Sequence, residues 1–67
     1  MLTGKIQWFD QGTGYGFIRP DKAGLDVFFH QSAFQVSNRP IEKGDGVSFK
    51  AIATERGPEA TFIDLGR

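Results

Sequence analysis

Apolar and polar side chains along this chain alternate with a period of two in short runs, and no stretch of helical length repeats every three to four residues. That pattern predicts strands throughout. Leu2 to Phe9 reads as a first strand, Tyr15 to Arg19 as a second and Asp26 to His30 as a third. Val47 to Ala53 reads as a fourth, and Ala60 to Leu65 as a fifth. Between them lie residues that turns need: Asp10-Gln11-Gly12-Thr13-Gly14, Asp21-Lys22-Ala23-Gly24 and Glu55-Arg56-Gly57-Pro58. Pro20 ends the second strand because it has no N–H to give to a ladder. Ser32-Ala33-Phe34 is expected to make one helical turn, before a longer polar loop that runs to Gly46.

Parity assigns faces within these strands. Successive side chains point to opposite sides, so Tyr15 and Phe17 share one face and Ile18 takes the other. Likewise Val27 and Phe29 oppose Phe28 and His30. In the fourth strand Val47, Phe49, Ala51 and Ala53 oppose Ser48, Lys50 and Ile52. With Ile18, Val27 and Phe29 as the buried set, Tyr15, Phe17, Phe28 and His30 form an outward group of flat rings. Folded chains seldom leave such a group in water without a use for it. Single-stranded nucleic acid is the partner this group suggests, because every base has a π-face that stacks whatever its identity. Five short strands with turn signals at close intervals point to an all-β fold, a small five-stranded antiparallel barrel, since closure removes edges that open strands would expose.

The 67 residues are enough for one domain, spanning 1–67, and a chain this short buries only about 60% of the surface it exposes when unfolded. With no cysteine, neither disulfides nor thiolate metal sites staple it. No leader-like or membrane-spanning apolar run is legible, and the expected setting is cytoplasmic. Charge narrows the functional reading. Eight basic and eight acidic residues cancel, so long-range steering towards phosphate is weak. Any nucleic-acid binding must then rest on stacking, with a shallow dependence on salt.

Catalysis and cofactors find no support. His30 is the only histidine, and neither a ligand cluster nor a nucleophile and acid at telling spacing accompanies it, so no catalytic residue, metal or cofactor is expected. Gly12, Gly14 and Gly16 do not make a dinucleotide fingerprint, because Phe17 stands where a further glycine is needed and no helix follows. An RRM is also disfavoured: its motif begins with Lys or Arg and ends with an aromatic, where this chain has Thr13 and Pro20.

Taken together, Gly4-Lys5-Ile6-Gln7-Trp8-Phe9, Gly14-Tyr15-Gly16-Phe17-Ile18, Asp26-Val27-Phe28-Phe29-His30, Ser32-Ala33 and Gly57-Pro58 resemble the bacterial cold-shock domain across essentially the whole chain. The resemblance implies an OB-type barrel that binds single-stranded RNA or DNA, acts as a nucleic-acid chaperone and so affects transcription or translation. Carried over by position, it implies a stacking platform of Trp8, Tyr15, Phe17, Phe28 and His30, with Lys5 near the backbone path. Simple alternation would put Trp8 on the same side as buried Ile6, so its place on the platform requires a bulge in the first strand. Among the loop cations, Arg39 and Arg56 are the candidates to hold phosphates.

The chain also departs from the family. Gln7 and Thr13 stand where Lys is common, Asp10 where Asn is common and Gln31 where an aromatic is common; Phe62 replaces a small polar residue. Each of the first four removes a positive charge, adds a negative one or deletes a stacking surface, so weaker binding or a different preferred ligand is expected. If Ile63 points inward, Phe62 is exposed. The rival reading is a protein-interaction module using the same aromatic face, as part of a longer protein. A monomer is expected, with strand exchange hinged on the Gln35 to Gly44 loop as the oligomeric alternative.

Overall fold

The structure, a computed structural model, describes residues 1–34 and 41–65. Five strands follow in chain order: β1 (Leu2–Asp10), β2 (Tyr15–Pro20), β3 (Val27–His30), β4 (Gly46–Thr54) and β5 (Gly57–Leu65). A single turn of 3-10 helix, Gln31–Ala33, follows β3. The strands close into a barrel in the order β1-β2-β3-β5-β4. Four of the pairings are antiparallel, while β3 pairs with β5 in parallel through Phe28 and Glu59. An odd number of strands requires this. Around a closed ring of five, directions cannot alternate at every step, so at least one neighbouring pair runs the same way.

Ile18, Val27 and Phe29 are buried as alternation requires, as is Ile6; Val47, Phe49 and Ile63 complete the core with Ala33, Phe34, Ile41 and Ala60. Phe29 sits at its centre. Phe9 stacks parallel to it at 6.0 Å and Phe34 meets it edge-on at 5.7 Å. No polar or charged residue is buried among the described residues.

Two irregularities in register adjust which side chains face out. In β1, Ile6 lies opposite Ile18 but Trp8 lies opposite Phe17, so Gln7 is an extra residue with no partner. This bulge lets Ile6 enter the core while Trp8, two residues on, faces solvent. In β5, Lys50 opposes Phe62 and Ala51 opposes Ala60, which makes Thr61 the extra residue. Ala60 and Ile63 are both buried as a result, although they are three apart.

Three expectations from the pattern are adjusted. β5 begins at Gly57, because the β4–β5 turn is tighter than Glu55 to Pro58: the Thr54 hydroxyl donates to the Gly57 carbonyl at 2.6 Å, and Gly57 takes φ +111°. β3 begins at Val27, one residue later than the pattern places it, and Asp26 before it pairs through its side chain with Arg19. Ala53 is exposed rather than buried, because that end of β4 runs past the core.

Gly16 is the tightest point of the barrel. A Cβ there would run into the Trp8 carbonyl oxygen and come within 2.8 Å of the Phe29 ring. Backbone on one side and a fully buried ring on the other leave nothing free to move. Gly16→Ala is therefore expected to destabilise the domain by about 1–3 kcal/mol or more, as overpacked cores do. Urea denaturation checks this, and an unchanged midpoint would contradict the close approach of β1 and β2.

Candidate nucleic-acid interface

Strand parity and register bring the outward rings of three strands into one patch. β2 supplies Tyr15 and Phe17, while β3 supplies Phe28 and His30. The register sets Tyr15 opposite His30, Phe17 opposite Phe28, and Trp8 of β1 opposite Phe17. Directly opposed residues on one face of a sheet lie close enough for rings to touch. Tyr15 stacks on Phe28 at 4.9 Å with 20° between planes, and meets His30 edge-on at 4.7 Å. Phe17 meets Phe28 edge-on at 5.7 Å, and Trp8 lies 6.1 Å from Phe17 at 37°. Trp8 is 49% exposed, Tyr15 39% and Phe17 37%, whereas Phe28 and His30 are half-buried. Part of each ring is spent on its neighbours, which holds the group rigid, and the remainder faces solvent.

The bulge at Gln7 is what places Trp8 here. The alternation that assigned the other four rings has no information about a break in pairing, so Trp8's face is set by where β1 meets β2.

Arg56, from the β4–β5 turn, sets its guanidinium 5.1 Å from the centre of the Phe28 ring. Cations over aromatic faces are held electrostatically by the ring quadrupole. Arg56 thus lies on the patch with a charge available to a phosphate. Lys5 is outward, opposite Arg19 in the β1–β2 ladder. Its ammonium lies 3.9 Å from the Asp21 carboxylate, and Arg19 Nε donates to Asp26 at 2.8 Å. These basic groups are offset locally by acids, consistent with the balanced composition. Arg39 lies outside the described residues, as does part of the Gln35 to Gly44 loop.

One residue at the patch, Glu59, was not picked out by reading the sequence. Glu59 stands directly opposite Phe28 through the parallel β3–β5 pairing, and opposite exposed Ile52 on its other side. A contact between strands nearly thirty residues apart in the chain, unlinked by any hairpin, leaves no local signal. Gln31 and Ser32 follow His30 in the chain. Its Nδ1 accepts the Ser32 N–H at 3.1 Å and lies 2.9 Å from the Ser32 hydroxyl. Phe62, expected to be exposed, is half-buried, with the Lys50 ammonium 5.8 Å from its ring centre. Among the described residues, no three of His, Cys, Asp and Glu gather as metal ligands would, and no helix is long and apolar enough to cross a membrane.

Residues 2–65 match the family described as the "Cold-shock" DNA-binding domain. The chain is 39% identical to Cold shock-like protein CspA of Bordetella pertussis over 66 residues, covering 97% of this chain and 98% of that protein. It is 44% identical to Cold shock-like protein CspD of Bacillus cereus over 64 residues, covering 94% of this chain and 96% of that one. Among solved structures it superposes on Drosophila Unr CSD456 with a TM-score of 0.83 at 27% identity, covering 98% of this chain but 26% of that larger one.

Proposed function

The chain belongs to the cold-shock domain family, whose members bind nucleic acid and are not enzymes, and from that premise we propose that it binds single-stranded RNA or DNA by stacking bases on Trp8, Tyr15, Phe17, Phe28 and His30. The observation that carries the proposal is the contact geometry of these rings: five aromatic side chains from three adjacent strands, touching in series on the outside of the barrel. Protein cores hide aromatics; here the pairing registers turn them outwards together. Each base stacked on such a ring contributes on the order of 1–3 kcal/mol, enough for three or four bases to hold a short strand.

Charge supplies a smaller share. Arg56 is the cation best placed to meet a phosphate, because it already lies on the Phe28 ring. Lys5 and Arg19 each face a carboxylate, so their attraction for phosphate is partly cancelled. The protein then acts as a weak, sequence-tolerant binder that holds RNA or DNA open after its secondary structure has melted. Such holding is the physical content of a chaperone-like role in transcription or translation.

A titration tests this directly. Trp8 is the only tryptophan and sits on the platform, so its fluorescence reports occupancy. Adding a single-stranded hexanucleotide is expected to quench it, with affinity in the micromolar range. Single strands lose affinity with salt at a slope of about −0.7 per phosphate neutralised. With one or two phosphates held, the slope of log K against log salt is expected to be no steeper than roughly −1.5. Silence towards RNA and DNA hexamers alike overturns the proposal and favours the protein-docking reading of the same face.

A further inference from the structure

The platform does not end on a ring. Beyond Tyr15 and His30 the β1–β2 turn closes on Gly14, and two side-chain nitrogens pack against it. A Cβ built on Gly14 would lie 2.9 Å from Gln31 Nε2 and 3.0 Å from His30 Nε2. Only glycine leaves room for both, and its φ of +81° suits glycine as well.

Both nitrogens are donors. His30 Nδ1 accepts the backbone N–H of Ser32 and faces its hydroxyl, so in the neutral ring the hydrogen resides on Nε2. The Gln31 amide nitrogen carries two hydrogens. The backbone beneath the pair and the imidazole are held in place. Gln31 N–H donates to the Gly14 carbonyl at 2.7 Å, Gly14 N–H donates to the Asp10 carbonyl at 2.8 Å, and Tyr15 braces the imidazole edge-on. Gln31 itself is exposed, so its amide is within reach of a ligand lying on the rings.

From this we infer that His30 and Gln31 form a hydrogen-bonding subsite at the end of the platform that takes the O6/N7 edge of a guanine. The inference rests on the stacking reading above. Guanine presents two adjacent acceptors on that edge and no donor. Adenine sets an amino group beside its N7, and cytosine offers an amino donor there, so each meets a donor with a donor. Uracil and thymine present a single carbonyl oxygen. Stacking along Phe28 and Tyr15 remains indifferent to base identity, and selectivity enters only where the surface changes from rings to N–H groups.

The test walks one guanine through each position of a thymidine hexamer and reads Trp8 quenching. At one position, guanine is expected to raise affinity at least fivefold over thymine, the low end of what a bidentate base contact discriminates. Inosine, which keeps O6 and N7, should match guanine; 7-deazaguanine, which lacks the N7 acceptor, should fall back to thymine. Gln31→Leu, which removes the amide donor, should abolish the preference for guanine over thymine. Gln31→Glu, which presents acceptors to the ligand, should shift the preference towards cytosine or adenine. A flat guanine walk with the thymidine hexamer still bound overturns this inference and leaves the platform standing, as does a preference that survives Gln31→Leu. A protein that binds no hexamer overturns both.

Discussion

Replacing both Phe17 and Phe28 with alanine is expected to weaken binding to a single-stranded hexanucleotide by at least tenfold while the barrel stays folded. Two stacked bases lose their platform, and at on the order of 1–3 kcal/mol each the lower bound is about 2 kcal/mol, roughly thirtyfold in affinity. Tenfold is the conservative figure, because Trp8, Tyr15 and His30 remain. The fold survives because neither ring is in the core. Phe17 is 37% exposed and Phe28 is half-buried on the outside of β3, so the loss to stability is chiefly the cross-strand pair, about 0.2–1 kcal/mol. Phe28→Ala also removes the ring under Arg56. A companion protein with leucine at both positions separates the contributions: it keeps apolar bulk and loses the π-face, so it should bind nearly as poorly as the alanine form while melting closer to the parent. Full affinity in the alanine protein would remove stacking at these two rings from the account.

Truncating the neighbouring ring has the opposite profile. Phe29 is adjacent to Phe28 in the chain but fully buried, between Phe9 and Phe34 and against Gly16. Phe29→Ala is expected to cost about 3–5 kcal/mol, the usual range for emptying a buried phenylalanine site. Small domains hold roughly 0.05–0.15 kcal/mol of stability per residue, which for 67 residues is about 3–10 kcal/mol in total. One substitution thus removes a third of the stability or all of it. Thermal unfolding should show a midpoint lower by at least about 12 °C, or no cooperative transition. A loss under 1 kcal/mol would mean that the core is not organised around this ring. The contrast between Phe28 and Phe29 tests the parity of β3 residue by residue: truncating Phe28 should weaken binding and spare the fold, while truncating Phe29 should cost the fold itself.

Much of this was legible before any coordinates. In β2 and β3 the runs Tyr15 to Ile18 and Val27 to His30 contain one acceptable buried set each, so burying Ile18, Val27 and Phe29 forces Tyr15, Phe17, Phe28 and His30 outward. The same reasoning misjudges Trp8, whose parity with Ile6 holds only if β1 pairs without interruption. Gln7 interrupts it. Phe62 shows a similar limit: Ile63 is inward as expected, yet Lys50 across the strand partly covers the ring. Charge composition shows that acids and bases balance, but not that Asp21 and Asp26 stand beside Lys5 and Arg19.

Five strands, the burial of Ile18, Val27 and Phe29, and four of the five platform rings follow from alternation, because within β2 and β3 a two-residue period and a single core admit one arrangement of sides. The bulges at Gln7 and Thr61, the parallel β3–β5 closure that sets Glu59 against Phe28, the seat of Arg56 on that ring and the packing of His30 and Gln31 against Gly14 do not follow from it. Each depends on how segments distant in the chain are aligned once the barrel closes. Alternation tells which side of a strand a residue occupies; only closure tells what stands next to it.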